Sequence, residues 1–195
     1  REIDALLTWT KANGMHLILD LHAAPGGQGS DLAISDRDPD KPSLWDSAEN
    51  RRKTVALWRR LAERYADEPG IAAYDLINEP NWDFEKPGGG HGCEETTNAP
   101  LRQLMMEITA AIRELDKRHM IIIEGNCWGN NYRGVMPLWD DNTVISFHKY
   151  WNATERASIA DVLRLRDETG APVWPQAFTG FVHVRFFNQL QVWTL

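Results

Sequence analysis

Cysteine is nearly absent from the 195 residues: only Cys93 and Cys127 occur, too few for a disulfide framework and without the C-x-x-C spacing of zinc or redox motifs. The pair decides nothing about compartment. Cys93, within His91-Gly92-Cys93-Glu94-Glu95, is expected as a free thiol in a solvated, glycine-rich loop. A basic excess is also missing: 21 Lys and Arg stand against 28 Asp and Glu, net −7, which argues against nucleic acid as a partner. No stretch approaches the roughly 20 apolar residues of a membrane span, so the chain is read as soluble with no membrane partner. No G-x-G-x-x-G follows a predicted strand, which weakens a dinucleotide-binding reading. Gly88-Gly89-Gly90 lacks the Lys-Ser/Thr and helix of a phosphate loop and reads as a flexible linker. The start, Arg1-Glu2-Ile3-Asp4, has no initiator Met and no basic-then-apolar leader; it already reads as helix, so the chain is expected to begin inside a domain.

Periodicity supplies the elements. Ile3, Leu6, Leu7 and Thr10 recur at helical spacing and Gly14 is placed as a stop. A strand follows at His16–His22, then a long loop from Ala23 to Pro42, a length that is often functional. Asp46 and Ser47 can cap a helix whose Val55, Trp58, Leu61 and Tyr65 share a face, and Asn98 is placed to cap another with Leu101, Leu104, Met105, Ile108, Ile112 and Leu115 on one side. Further strands are predicted at Ile71–Ile77, Met120–Glu124, Thr143–His148 and Pro172–Trp174, with a helix from Ser158 to Glu168 before the last. Nearly continuous apolar strands separated by helices describe parallel βαβ units, an α/β class that fits an open doubly wound sheet or part of a (β/α)8 barrel.

Polar residues decide between the two. His22, Asn78, Glu79, Glu124, His148 and Tyr150 lie at or just past the carboxyl ends of four strands, where barrel enzymes build their sites. In Asn78-Glu79-Pro80 an acid and an amide share one strand mouth and Pro80 ends strand pairing, the arrangement needed to hand a proton to a leaving group. Nine Trp exceed what packing requires. Trp82, Trp128 and Trp151 fall within four residues after strand ends and are candidates for stacking on a ligand. Trp45 is a weaker candidate, and Trp9, Trp58 and Trp139 are assigned to packing.

Taken in order, Leu19-Asp20-Leu21-His22-Ala23-Ala24-Pro25-Gly26, Asp75-Leu76-Ile77-Asn78-Glu79-Pro80, Ile122-Ile123-Glu124-Gly125, Phe147-His148-Lys149-Tyr150 and Pro172-Val173-Trp174 resemble glycoside hydrolase family 5, the cellulase-like retaining glycosidases. The resemblance covers roughly residues 1 to 174 and implies a partial (β/α)8 TIM barrel, about strands 3 to 7. It implies Glu79 as general acid/base, Asn78 on the sugar 2-hydroxyl, His22 lining the −1 subsite, and His148 with Tyr150 bordering the nucleophile. It also implies a β-linked oligo- or polysaccharide as partner, no cofactor, and a secreted or periplasmic setting. Glu124 is expected to be structural, a partly buried hydrogen-bonding residue.

The family's nucleophile, a Glu shortly after a Pro-x-Trp at the end of the seventh strand, has no counterpart here. No Asp or Glu follows Glu168, and residues 175–195 read as an aberrant tail resembling neither a strand nor an amphipathic helix. Five strands alone would leave two parallel edges exposed. The expected activity is therefore hydrolysis of β-glucans or related β-glucosides in the intact parent barrel, with this chain inactive. The alternatives are a non-catalytic carbohydrate-binding pseudoenzyme or a metal-dependent hydrolase on the same barrel. For the latter, His22, His91 and His148 lack the close spacing by which one element supplies two metal ligands, so no metal is expected.

Overall fold

The computed structural model describes residues 1–150, 153, 155–178 and 190–194. Helix α1 (Glu2–Ala12) leads to strand β1 (Leu17–Leu21), and the loop after it contains a single turn, α2 (Leu32–Ser35), capped by Asp31. Helix α3 (Ala48–Tyr65) follows, begun by the Ser47 side chain accepting the Asn50 N–H, then β2 (Ile71–Asp75). Next come α4 (Ala99–Arg113), β3 (Met120–Glu124), a tight turn α5 (Asn126–Gly129) and β4 (Thr143–Lys149). A 3-10 turn (Arg156–Ile159) runs into α6 (Ala160–Thr169), which Gly170 ends in the left-handed conformation before β5 (Val173–Phe178).

β1 to β5 pair in parallel, each with its sequence neighbour, as βαβ connections require. A sixth strand, β6 (Leu190–Thr194), lies antiparallel along β1, Leu17 opposite Thr194 and Leu21 opposite Leu190. This corrects two expectations: part of the tail is a strand, and the β1 edge is covered. Ladder pairing uses backbone N–H and C=O groups, so a free edge accepts a segment with no marked side-chain pattern.

Two apolar layers sandwich the strands. Leu17, Leu19, Tyr74, Ile121, Ile123 and Ile145 face the helices and meet Trp58 of α3 and Leu101, Leu104, Met105, Ile108 and Ile112 of α4. Each such side chain contributes about 1.5–3 kcal/mol on burial. The opposite face carries Ile18, Ala73, Ile122 and Val144. Because strand side chains alternate, Asp20, Asp75, Glu124, Ser146 and His148 continue that second face toward the carboxyl ends, and all five are buried.

Several assignments change. Trp9, assigned to packing, is 61% exposed, and Leu115, placed on the buried side of α4, lies beyond its end and is 37% exposed. Trp58 is fully buried and Trp139 packs against the core. Asn98 stands at the start of α4 but does not cap it; its amide is taken by Arg133 O and Asn126. Cys93 is not a free thiol. It is bonded to Cys127, 34 residues away, a pairing created by the approach of two loops that are distant in sequence.

Candidate active site

Glu79 stands four residues past the end of β2, buried, with φ +46°. A non-glycine residue in this left-handed region costs about 1–2 kcal/mol. The compensation is visible: the Glu79 N–H donates to Glu124 Oε2 at 2.8 Å, a charge-assisted bond of the class that contributes about 1.5–3 kcal/mol. Glu79 Oε1 lies 2.6 Å from His148 Nδ1, and His148 Nε2 lies 3.2 Å from Glu124 Oε1. The first contact is an ion pair rather than an aligned hydrogen bond. Burial by itself would depress the His148 imidazole, but the two carboxylates outweigh it, Glu124 foremost, and hold it well above its ordinary value. A carboxylate oxygen thus faces each ring nitrogen of His148, an arrangement that favours the protonated imidazole. Tyr150 edges onto the His148 ring at 6.1 Å and is itself 40% exposed.

Asn78 and His22 are tied together from the side. The Asn78 N–H donates to Leu21 O, and the Gln28 side-chain amide donates to both His22 O and Asn78 O at 2.9 and 2.8 Å. Gln28 is fully buried, and sequence reasoning missed it; its position between Gly27 and Gly29 in the long loop after β1 is the only trace of it in the chain. The Asn78 Nδ2 donor is buried with no protein acceptor, a vacancy suited to a ligand hydroxyl. His22 Nδ1 lies 3.3 Å from Asp20 Oδ2. Burial raises the Asp20 carboxyl from 3.8 to about 6, against the opposing pull of His22. Asp20 pairs in register with Asp75 on the neighbouring strand, so two buried acids underlie the site.

The rim is built by loop contacts. Asn126 acts as a backbone surrogate for Trp82, accepting its N–H at 2.9 Å and donating to its carbonyl at 2.8 Å. Gly92, with φ +76°, passes so close that a Cβ there would sit 2.1 Å from Asn126 Oδ1. Cys127 and Trp128 are successive left-handed residues held by the Cys93–Cys127 bond and by Trp128 N–H donating to Pro80 O. Of the predicted platforms, Trp82 has the Arg37 guanidinium 5.2 Å above its ring, and Trp128 meets the His91 ring at 4.8 Å with the planes tilted by 36°. Each thus has one face already engaged by protein. Trp45 sits edge-on to Phe84, with its indole N–H on Gln28 O. Trp151 lies outside the described residues. His22, Asn78, Glu79, His148, Tyr150, Trp82 and Trp128 are all at the carboxyl-terminal end of the sheet, and His91 Nδ1 lies 2.8 Å from Ser30 Oγ. Glu124 is more deeply buried than expected and touches both Glu79 and His148.

A family model described as cellulase, glycosyl hydrolase family 5, matches residues 1–178. Endoglucanase C of Acetivibrio thermocellus is 30% identical over 150 residues, covering 76% of this chain and 38% of that protein. A β-xylosidase of Phanerodontia chrysosporium is 27% identical over 153 residues, 77% of this chain and 29% of its own. The chain thus spans well under half the length of these curated relatives. Among solved structures, a glycoside hydrolase superposes with TM-score 0.64 at 21% identity, covering 89% of this chain and 58% of the other. Thermotoga maritima Cel5A, solved with cellobiose, gives 0.60 at 19%, covering 89% and 54%. These structures show the fold alone: the five parallel strands and their helices are part of a (β/α)8 barrel.

Proposed function

The chain belongs to glycosyl hydrolase family 5, the cellulase family, and on that premise we propose that its strand-end rim binds a β-linked gluco-oligosaccharide, with Glu79 as the acid that protonates the departing oxygen. The observation that carries this is the unpaired, buried Asn78 amide donor beside a carboxylate held in a left-handed conformation against His148. Such a donor is left unpaired at a cost, which a sugar hydroxyl would relieve. His22, Trp82 and Trp128 would border the same sugar, with Tyr150 beside His148. The endoglucanase relatives and the cellobiose complex of the Cel5A neighbour support a β-linked oligosaccharide as ligand, and a glucan is the reading taken here.

Retaining hydrolysis needs two carboxyl groups about 5–5.5 Å apart across the scissile bond, one to donate a proton and one to attack the anomeric carbon. Glu79 fills the first role. Glu124 is unsuited to the second, since both its oxygens are engaged and it has no exposed surface. With no Asp or Glu after Glu168, the proposed double displacement belongs to a barrel that supplies its nucleophile on a seventh strand, and residues 1–195 bind without turning over. This observation also favours the second reading, a carbohydrate-binding module without catalysis. Calorimetric titration with cellotetraose, alongside an assay on an aryl β-glucoside, tests the proposal. Binding that is lost in Asn78→Ala, with no product formed, is expected. No binding by the wild type refutes the sugar site, and retaining turnover that survives Glu79→Gln refutes the role of Glu79.

A further inference from the structure

We infer that Glu124 is a positioning residue for Glu79, setting both the direction of its backbone and the charge of the imidazole against which its carboxyl rests. The inference rests on the functional reading only in calling Glu79 the acid. Its geometry is a closed ring of three residues drawn from three strand ends. Glu124 Oε2 accepts the Glu79 N–H at 2.8 Å, Glu124 Oε1 meets His148 Nε2 at 3.2 Å, and His148 Nδ1 meets Glu79 Oε1 at 2.6 Å.

The chemistry of the ring demands a carboxylate at position 124. Both groups that Glu124 faces are donors, the amide N–H of Glu79 and the protonated Nε2 of His148, and an ionised carboxylate presents two acceptors at once. A glutamine has one oxygen and one NH2, so it can serve one donor but must turn its own donor on the other. Glu124 is entirely buried, which leaves no water to repair such a mismatch. Glu79 depends on the contact because its φ of +46° is unfavourable for any residue with a Cβ. Were its N–H unpaired, the strand end could relax to an ordinary extended conformation and swing the carboxyl away from His148.

The surroundings fix the electrostatics. The charged or titratable groups around the ring include Asp20 of β1 with its partner His22, Asp75 of β2, which shares the same sheet face, and the Tyr132 hydroxyl, which shares its single proton between Ile123 O and Ser146 O. Tyr150 faces His148 from β4's own end. Of these groups His148 contacts both acids directly, one through each ring nitrogen, so a proton on each nitrogen gives each acid a cationic partner. Gly129, with φ +78°, packs over the pair so closely that a Cβ there would lie 3.2 Å from both Glu124 Oε2 and His148 Cδ2.

Nuclear magnetic resonance on the full 195-residue chain tests this without reference to activity. In the wild type, the His148 ring nitrogens should remain those of an imidazolium through neutral pH, and the Glu79 amide proton should resonate well downfield, as an N–H bonded to a carboxylate does. In Glu124→Gln, the His148 titration should fall by roughly one pH unit or more on loss of an adjacent anion, and the Glu79 amide should move upfield. A role limited to filling space would leave the His148 titration in place, and that result overturns the inference. So does a wild-type His148 that is neutral at pH 7, a measurement that needs no variant to fold. Cellotetraose is absent from these readouts, so failure to bind it would count against the sugar site alone.

Discussion

The two ends of the parallel sheet are built on opposite principles. At the amino-terminal end, Tyr74, Asp116 and His119 form a buried knot. Asp116 Oδ2 accepts the Tyr74 hydroxyl at 2.8 Å and pairs with His119 Nδ1, and Asp116 Oδ1 accepts the backbone N–H groups of Arg118 and His119. His119 Nε2 is taken by Glu68 O, and Arg113 clamps Asp140 through two bonds of 2.7 and 2.8 Å. These groups are saturated. At the carboxyl-terminal end, Asn78 Nδ2 and Asp20 Oδ1 are buried without acceptor or donor, and Glu79, Cys127 and Trp128 occupy left-handed backbone. The same sheet therefore satisfies its polar side chains below and leaves single buried polar atoms unpaired above, the division expected where barrel loops carry the chemistry.

The largest effect should come from breaking the lower knot. Asp116→Ala would leave the buried Tyr74 hydroxyl, the buried His119 N–H and the His119 ring without their acceptor, and a loss of about 3–5 kcal/mol is expected, read from the denaturant midpoint. If that midpoint barely moves, the lower end is not the stabilising one.

Next in size is the disulfide that staples the upper rim. Reduction, or Cys93→Ser with Cys127→Ser, should cost about 2–4 kcal/mol by releasing a closed loop in the unfolded chain. It should also free Trp128 from its left-handed position, which tryptophan fluorescence would record as a shifted emission maximum.

Asp20 sharpens the contrast through pH. Its carboxyl is raised from 3.8 in the unfolded chain to about 6 in the fold, so the native state holds the proton more tightly. That contribution to stability is complete below pH 3.8 and is lost as pH rises through about 6, an amount on the order of 3 kcal/mol. Asp20→Asn should remove this slope, making the variant more stable than the wild type at pH 8 and no more stable at pH 4; thermal melts across that range decide it. Asp140 behaves oppositely. Its bond to Arg113 holds it below its ordinary value, so its contribution is lost only as pH falls through that depressed value.

The smallest change in stability belongs to the residue with the clearest functional vacancy. Asn78→Ala deletes a donor that has no partner, so its stability should shift by less than about 1 kcal/mol while oligosaccharide binding disappears. A large loss of stability would instead place Asn78 with the structural groups of the other end.

Much of this was legible in the chain because it is local. Alternation of apolar strands with amphipathic helices follows from periods of 2.0 and 3.6 residues, and Asn78-Glu79-Pro80, His22 and His148 fall at strand ends by simple position. Tertiary structure alone decided the rest. It paired Cys93 with Cys127, brought β6 to the edge of β1, left Trp9 in the open and turned Asn98 from a cap into a partner of Asn126. It also made Glu124, which reads as one more strand-end acid, the common partner of Glu79 and His148. Periodicity reports which way a residue faces, whereas the partner it meets there comes from another strand 24 or 45 residues away, and only the folded sheet sets that distance.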